Sequence, residues 1–170
     1  MIHEVIPIIA GELKDYLESK FGSYEDVVII SNLINQDGSI AIREDNKIVV
    51  TLLNIERDGS NLNFGGGMIR TDMPLHINLY MLFSSYFTDY AESLKFLSGV
   101  IGFFQGNPQF MIDDNTIKAE LFHIDFRELS NLWTCLGAKI VPHVLVKFRT
   151  LNMDEGRIRE EIPPITGITI

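Results

Sequence analysis

Few residues in this 170-residue chain have types and spacing that suggest chemistry. The four histidines, His3, His76, His123 and His143, are the first candidates for a metal or for acid–base work. No two stand four residues apart, the spacing that places a zinc pair on one helix face. His76, His123 and His143 fall on predicted strands and would have to meet across a sheet. Hydrogen-bonded or half-exposed histidines are the better reading. Gly65-Gly66-Gly67 has the composition of a phosphate cradle, but a strand follows it and no lysine comes after in the Walker order. It reads as a hairpin excursion. Asp113-Asp114-Asn115 lacks the alternating ligands and distal glutamate of a calcium loop and reads as a turn. Ser93 and Ser130 lie near acids on predicted helices, without a base close in sequence, and there is no G-x-S-x-G. Cys135 is the single cysteine, so no internal disulfide forms. Its apolar helical setting, Leu132-Trp133-Thr134-Cys135-Leu136, predicts a packed thiol. No catalytic, metal or cofactor constellation emerges, and a non-enzyme is expected.

The elements that would position such residues are easier to read. They are organised around Met73–Asn107. Leu75 to Phe83 is nearly continuously apolar, the pattern of a strand covered on both faces. Pro74 suits its start, where no ladder donor is needed. The period then changes. Tyr90, Leu94, Leu97, Ile101 and Phe104 recur at helical spacing and are taken as one face of a helix. Thr88 is the expected cap, Asp89 and Glu92 complement the positive helix end, and Gly106 is the expected left-handed stop. Phe96, Val100 and Phe103 lie off that stripe. The helix is therefore apolar on more than one side and either deeply buried or facing another subunit, and these three are candidates for a subunit contact.

In chain order, residues 2–21 read as an amphipathic helix with Ile2, Ile6, Ile9, Leu13 and Leu17 inward. Pro7 requires either a start near Glu4 or a kink, and Gly22 ends it. Asp26–Ser31 is a short strand, and Asn35-Gln36-Asp37-Gly38 a turn. Asn46–Glu56 is a second long strand whose unevenly spaced polar residues, Thr51, Asn54 and Glu56, predict a bulge or cover on both sides. Arg57–Asp72 is a loop. Pro108–Ile112 and Thr116–Ile124 are strands. Asp125 and Glu128 form a capping-box pair ahead of a helix that Gly137 ends. Val141–Leu151 is the last core strand. Residues 156–170 form an extended tail whose Ile-Thr alternation could add a strand to a neighbouring edge. The expected fold class is α/β, more narrowly α+β: a mixed, mainly antiparallel sheet flanked by about three helices, with residues 1–155 as one domain.

A net charge of −9 speaks against a phosphate-driven nucleic-acid binder and against docking on anionic membranes. No apolar run reaches the ~18 residues of a spanning helix. The N-terminal stretch lacks a basic n-region and carries acids, so it is a poor signal peptide, and assembly in the cytoplasm is expected.

Four ordered blocks carry a resemblance: SNLINQDGS at 31–39, NKIVVTLLNIE at 46–56, LHINLYMLFSSYFTDYAESLKFLSGVIGFFQ at 75–105 and LSNLWTCLGAKIVPHVLVKFRTL at 129–151. Together they resemble the N-terminal domain of cap, or tail-terminator, proteins of phage-tail-like contractile injection systems of the antifeeding-prophage and virulence-cassette type. The resemblance spans roughly residues 1–155. It implies a homo-hexameric ring on the distal end of the inner tube and sheath, ending both polymers and stabilising the extended sheath. Sheath and tube proteins are the implied partners, and the particle is either released or retained. The alternatives are another tail-particle component, such as a tube-end adaptor, or a small ligand-binding domain. Asn35, Gln36 and Asp37, on their turn, join Phe96, Val100 and Phe103 as candidate interface residues.

Overall fold

The strand Leu75–Tyr86 lies inside the sheet, flanked by two other long strands, as its apolar run on both faces requires. The computed structural model describes residues 2–22, 24–58, 69–71, 75–112, 115–153 and 158–161. In chain order the elements are α1 (Ile2–Phe21), β1 (Val28–Ile30), β2 (Lys47–Arg57), β3 (Ile69–Thr71), β4 (Leu75–Tyr86), α2 (Tyr90–Gly106), β5 (Gln109–Ile112), β6 (Asn115–Phe122), α3 (Phe126–Leu136), β7 (His143–Met153) and β8 (Ile158–Glu161). The main sheet has the order β1-β2-β4-β7-β6-β5; only β1/β2 is parallel. This is the expected mixed, mainly antiparallel α+β fold. Of the two expectations for β2, the bulge is present: the register against β4 slips between Leu52 and Asn54.

Strand alternation gives the sheet two unlike faces. Ile48, Val50, Leu79, Met81, Phe83, Val146 and Phe148 point to α1 and α2, in a cluster rich in aromatic contacts such as Phe83–Phe104 at 5.0 Å. Val49, Leu82 and Leu145 point the other way, to Leu33 and Trp133 of a smaller cluster under α3. Trp133 is the only fully buried side chain of α3 among the described residues.

Local signals explain most helix ends. Gly22 takes φ 59° and donates to the Glu18 carbonyl, closing α1. Pro7 lies within α1 on its exposed side; the helix starts at Ile2 and tolerates it near its N-terminus, where the carbonyl of His3 loses one donor. The Asp125 carboxylate accepts from the Glu128 amide at 2.8 Å and completes the capping box, and Gly137 ends α3 at φ 67°.

Several expectations are corrected. Asp89, not Thr88, caps α2, accepting from the Ala91 amide at 2.7 Å; the Thr88 amide instead donates to Asn46. Gly106 stays helical, and Asn107 closes α2 by donating from its backbone and side-chain amides to the Phe103 carbonyl. The stripe of α2 does not face one way: Phe104 is in the core and Leu97 is half-buried, while the rest turns outward. Phe96, Val100 and Phe103 are 1%, 0% and 3% exposed, within the chain's own core, so they are not a surface for another subunit. Tyr90, Leu94 and Ile101 face outward. A helix apolar on more than one side has no clear periodicity that tells inside from outside. Cys135 is exposed, because only a narrow side of α3 reaches the sheet. His123 lies just beyond β6, and residues 69–71, expected within a loop, form β3. β3 pairs with β8, so part of the expected tail is bound to the chain itself. Gly65–Gly67, Asp113-Asp114 and Pro163–Ile170 lie outside the described residues.

Candidate assembly surfaces

The loop after β1 is built so that its tip projects. Leu33 and Ile34 anchor it in the cluster under α3, and an isolated bridge joins Ile34 to Ile40. Between them Asn35, Gln36 and Asp37 are all exposed. The Asp37 carboxylate accepts from the Ser39 hydroxyl at 2.6 Å and its amide at 2.9 Å, which holds its pKa below the ordinary aspartate value. The turn is thus a fixed, polar projection on the α3 side. The other expected interface residues are on α2, across the sheet, so the fold does not bring the two groups together.

The outward side of α2 was missed as a surface. Tyr90, Leu94 and Ile101 are 67%, 43% and 37% exposed, with Leu97 half-buried between them. Its exposed polar neighbours, Ser98 and Gln105, carry no charge. The charged residues of the helix, Glu92 and Lys95, pair with each other at 3.1 Å. One sequence signal could have oriented the helix. A Cβ on Gly99 would lie 2.6 Å from Leu17 and 2.7 Å from Phe21, so this position must face α1.

On the opposite face, α3 leaves open grooves beside it. One, of about 230 Å³, is lined by Phe122, Phe126, Leu129 and Leu145, together with His123 and His143. His143 Nδ1 is bonded to the Val141 carbonyl at 2.8 Å. Two histidines thus share a wall, but among the described residues no three His, Cys, Asp or Glu side chains form a metal set. Phe126 is 90% exposed at the start of α3. A second groove, of about 330 Å³, contains Glu56 and Tyr80. There the Tyr80 hydroxyl donates to Glu56 Oε2 at 2.6 Å, and Lys147 Nζ donates to both Tyr80 Oη at 2.7 Å and Glu56 Oε2 at 2.9 Å. Glu56 is held below the ordinary glutamate pKa, first by Tyr80 and then by Lys147; Lys147 is raised, first by Tyr80. The three side chains tie β2, β4 and β7 together.

The sheet also offers a free edge. β1 covers only Ile48–Val50 of β2, leaving the longer part of that strand without a ladder partner on this side among the described residues. Leu52 and Ile55 along it are 37% and 47% exposed. Among the described residues no helix is long and apolar enough to cross a membrane.

Two solved structures share this architecture. The sheath/tube terminator of an extracellular contractile injection system (PVC), in the extended state, matches with a TM-score of 0.71 and 16% identity. The tube-terminating cap of the anti-feeding prophage matches with a TM-score of 0.64 and 13% identity. Both alignments take in all of this chain but only 62% and 61% of those chains. Among curated proteins none matches the sequence significantly. The family model described as the Pvc16 N-terminal domain matches residues 4–167. The chain therefore belongs to the Pvc16 N-terminal domain family.

Proposed function

We propose that this chain is the terminator domain of a contractile injection particle. In this reading it forms a ring, six-fold as the family resemblance implies, on the distal end of both polymers. It stops their growth and holds the sheath extended. Its partners are further copies of itself, the sheath protein and the inner tube protein. Assembly takes place in the cytoplasm, and the particle is then released or retained. The observation that carries the proposal is the likeness over the whole chain to two terminators, at TM-scores of 0.71 and 0.64, together with the family match over residues 4–167. The open edge of β2 supports contact with the sheath, since an extended segment from a sheath subunit could continue the ladder there. The exposed turn Asn35-Gln36-Asp37 offers a polar contact on the other side of the sheet from α2.

The test is deletion of the gene in a producing cell, with tube and sheath lengths measured by electron microscopy. Overlong or ragged tubes and prematurely contracted sheaths are expected. Particles of unchanged length with intact sheaths would refute the terminator role.

A further inference from the structure

We infer that the α3 side of the sheet holds one buried water molecule, which bridges Ser84 Oγ and Trp133 Nε1 beside His143. The site lies inside the fold and is independent of the terminator reading. It starts from two atoms. Ser84 is 0% and Trp133 4% exposed, and among the described residues neither the serine hydroxyl nor the indole N–H has a hydrogen-bond partner. A buried donor left unpaired gives up its hydration for nothing in return, and native interiors seldom carry one.

The fold brings the two atoms to one place. Ser85 faces α2, where its hydroxyl donates to the Ser93 carbonyl at 3.0 Å, so strand alternation turns Ser84 to the α3 face. There Ser84 stands in register between Val49 of β2 and His143 of β7. Trp133 comes to the same spot from α3. It shares a cluster with Val49, Leu82 and Leu145, and its ring meets the His143 imidazole edge-on at 5.1 Å. Ser84 and Trp133 thus converge on one imidazole without bonding to each other.

The chemistry of the three side chains selects the occupant. The indole N–H only donates, whereas the serine hydroxyl donates and accepts. His143 Nδ1 donates to the Val141 carbonyl at 2.8 Å, which leaves Nε2 of the neutral ring as an acceptor. A water accepts from Trp133 and donates to His143, with Ser84 as the third partner, and three hydrogen bonds are what a buried water typically makes. An ion is disfavoured, because Val49, Leu82 and Leu145 around the site offer it no opposite charge. His143 also lines the groove of about 230 Å³ beside α3, which gives water a way in. Trp133 is the one fully buried side chain of α3 among the described residues, so the bridge ties this helix to β4 and β7 by hydrogen bonds as well as by packing.

Trp133 is the single tryptophan of the chain, so its fluorescence reads this site alone. The experiment uses the full chain as wild type, Ser84→Ala and Ser84→Thr, each checked for folding by circular dichroism. A crystal structure of the wild type, at a resolution that shows ordered water, accompanies them. The crystal is expected to show a water within about 3 Å of both Ser84 Oγ and Trp133 Nε1. Ser84→Ala removes one partner, and the emission maximum should shift to shorter wavelength as the indole loses its polar neighbour. Ser84→Thr keeps the hydroxyl and should emit as wild type does.

A crystal structure without that water, with the indole N–H bonded directly to Ser84 or turned onto the His143 ring, would overturn the inference. So would emission that Ser84→Ala leaves unchanged, or Ser84→Thr emission that moves with that of Ser84→Ala, which is the pattern of altered packing. Should neither variant fold, the wild-type crystal structure decides alone.

Discussion

Lys147 Nζ lies 2.9 Å from Glu56 Oε2, joining β7 to β2 across the intervening β4. Glu56 has a lowered pKa, so its contribution is present above the unfolded glutamate pKa and is lost as pH falls through the folded value. Lys147 has a raised pKa, so its contribution is present below the ordinary lysine pKa and is lost as pH rises through the folded value. Glu56→Gln is expected to lower Tm near neutral pH by no more than a few degrees, since the carboxylate is solvent-screened. The difference from wild type should begin to shrink as pH falls below the ordinary glutamate range and vanish only below the lowered folded value. Melts from acid to neutral pH check this; a difference that persists in acid would mean that the triad's geometry matters rather than its charge.

Phe96 separates a core residue from a contact residue. It stacks on Phe87 at 4.7 Å and meets Phe21 at 4.9 Å and Tyr24 at 5.5 Å. Phe96→Ala is expected to cost about 3–5 kcal/mol in urea unfolding of the isolated chain. A loss under about 1 kcal/mol would show that the ring is not buried in the monomer.

Two helical glycines should respond in opposite directions. Gly99→Ala forces a Cβ to within 2.6 Å of Leu17 and 2.7 Å of Phe21, where α1 and α2 touch. A loss of about 1–3 kcal/mol is expected in spite of alanine's better helix propensity. Gly11→Ala, with nothing within 4 Å of the new Cβ, should stabilise α1 by about 0.5–1 kcal/mol. Equal and same-signed changes would contradict the α1–α2 contact.

Cys135, exposed on α3, should react with a thiol reagent in the native protein as fast as a free peptide thiol does, to within about tenfold. Labelling that requires denaturant would place the thiol in the core after all. In the same helix, Asp125→Ala removes the capping box and is expected to cost about 0.5–2 kcal/mol.

Local features of this fold were legible because their causes are local. The capping box of Asp125 and Glu128 and the αL stop at Gly137 need only residues within a few positions of one another. The family resemblance came from ordered blocks along the chain and agrees with the structural likeness. Candidate interface residues fared differently. Asn35, Gln36 and Asp37 stand on an exposed turn, but Phe96, Val100 and Phe103 belong to the core, since the spacing of α2 supports either side as its buried one.

By itself the sequence determined most element types, though not the strands β3 and β8, together with the buried status of β4, the mainly antiparallel α+β class and the acidic net charge. These rest on periodicity, capping and composition, which act along the chain. Only tertiary structure decided that α2 turns Phe96 and Gly99 inward and Tyr90 and Leu94 outward, that Cys135 is open to solvent, and that Glu56, Tyr80 and Lys147 meet. Each of those outcomes depends on which distant partner lies opposite. Leu17 and Phe21 of α1 come within contact of α2 at Gly99 because it has no side chain, and the register of β2, β4 and β7 sets three polar side chains side by side.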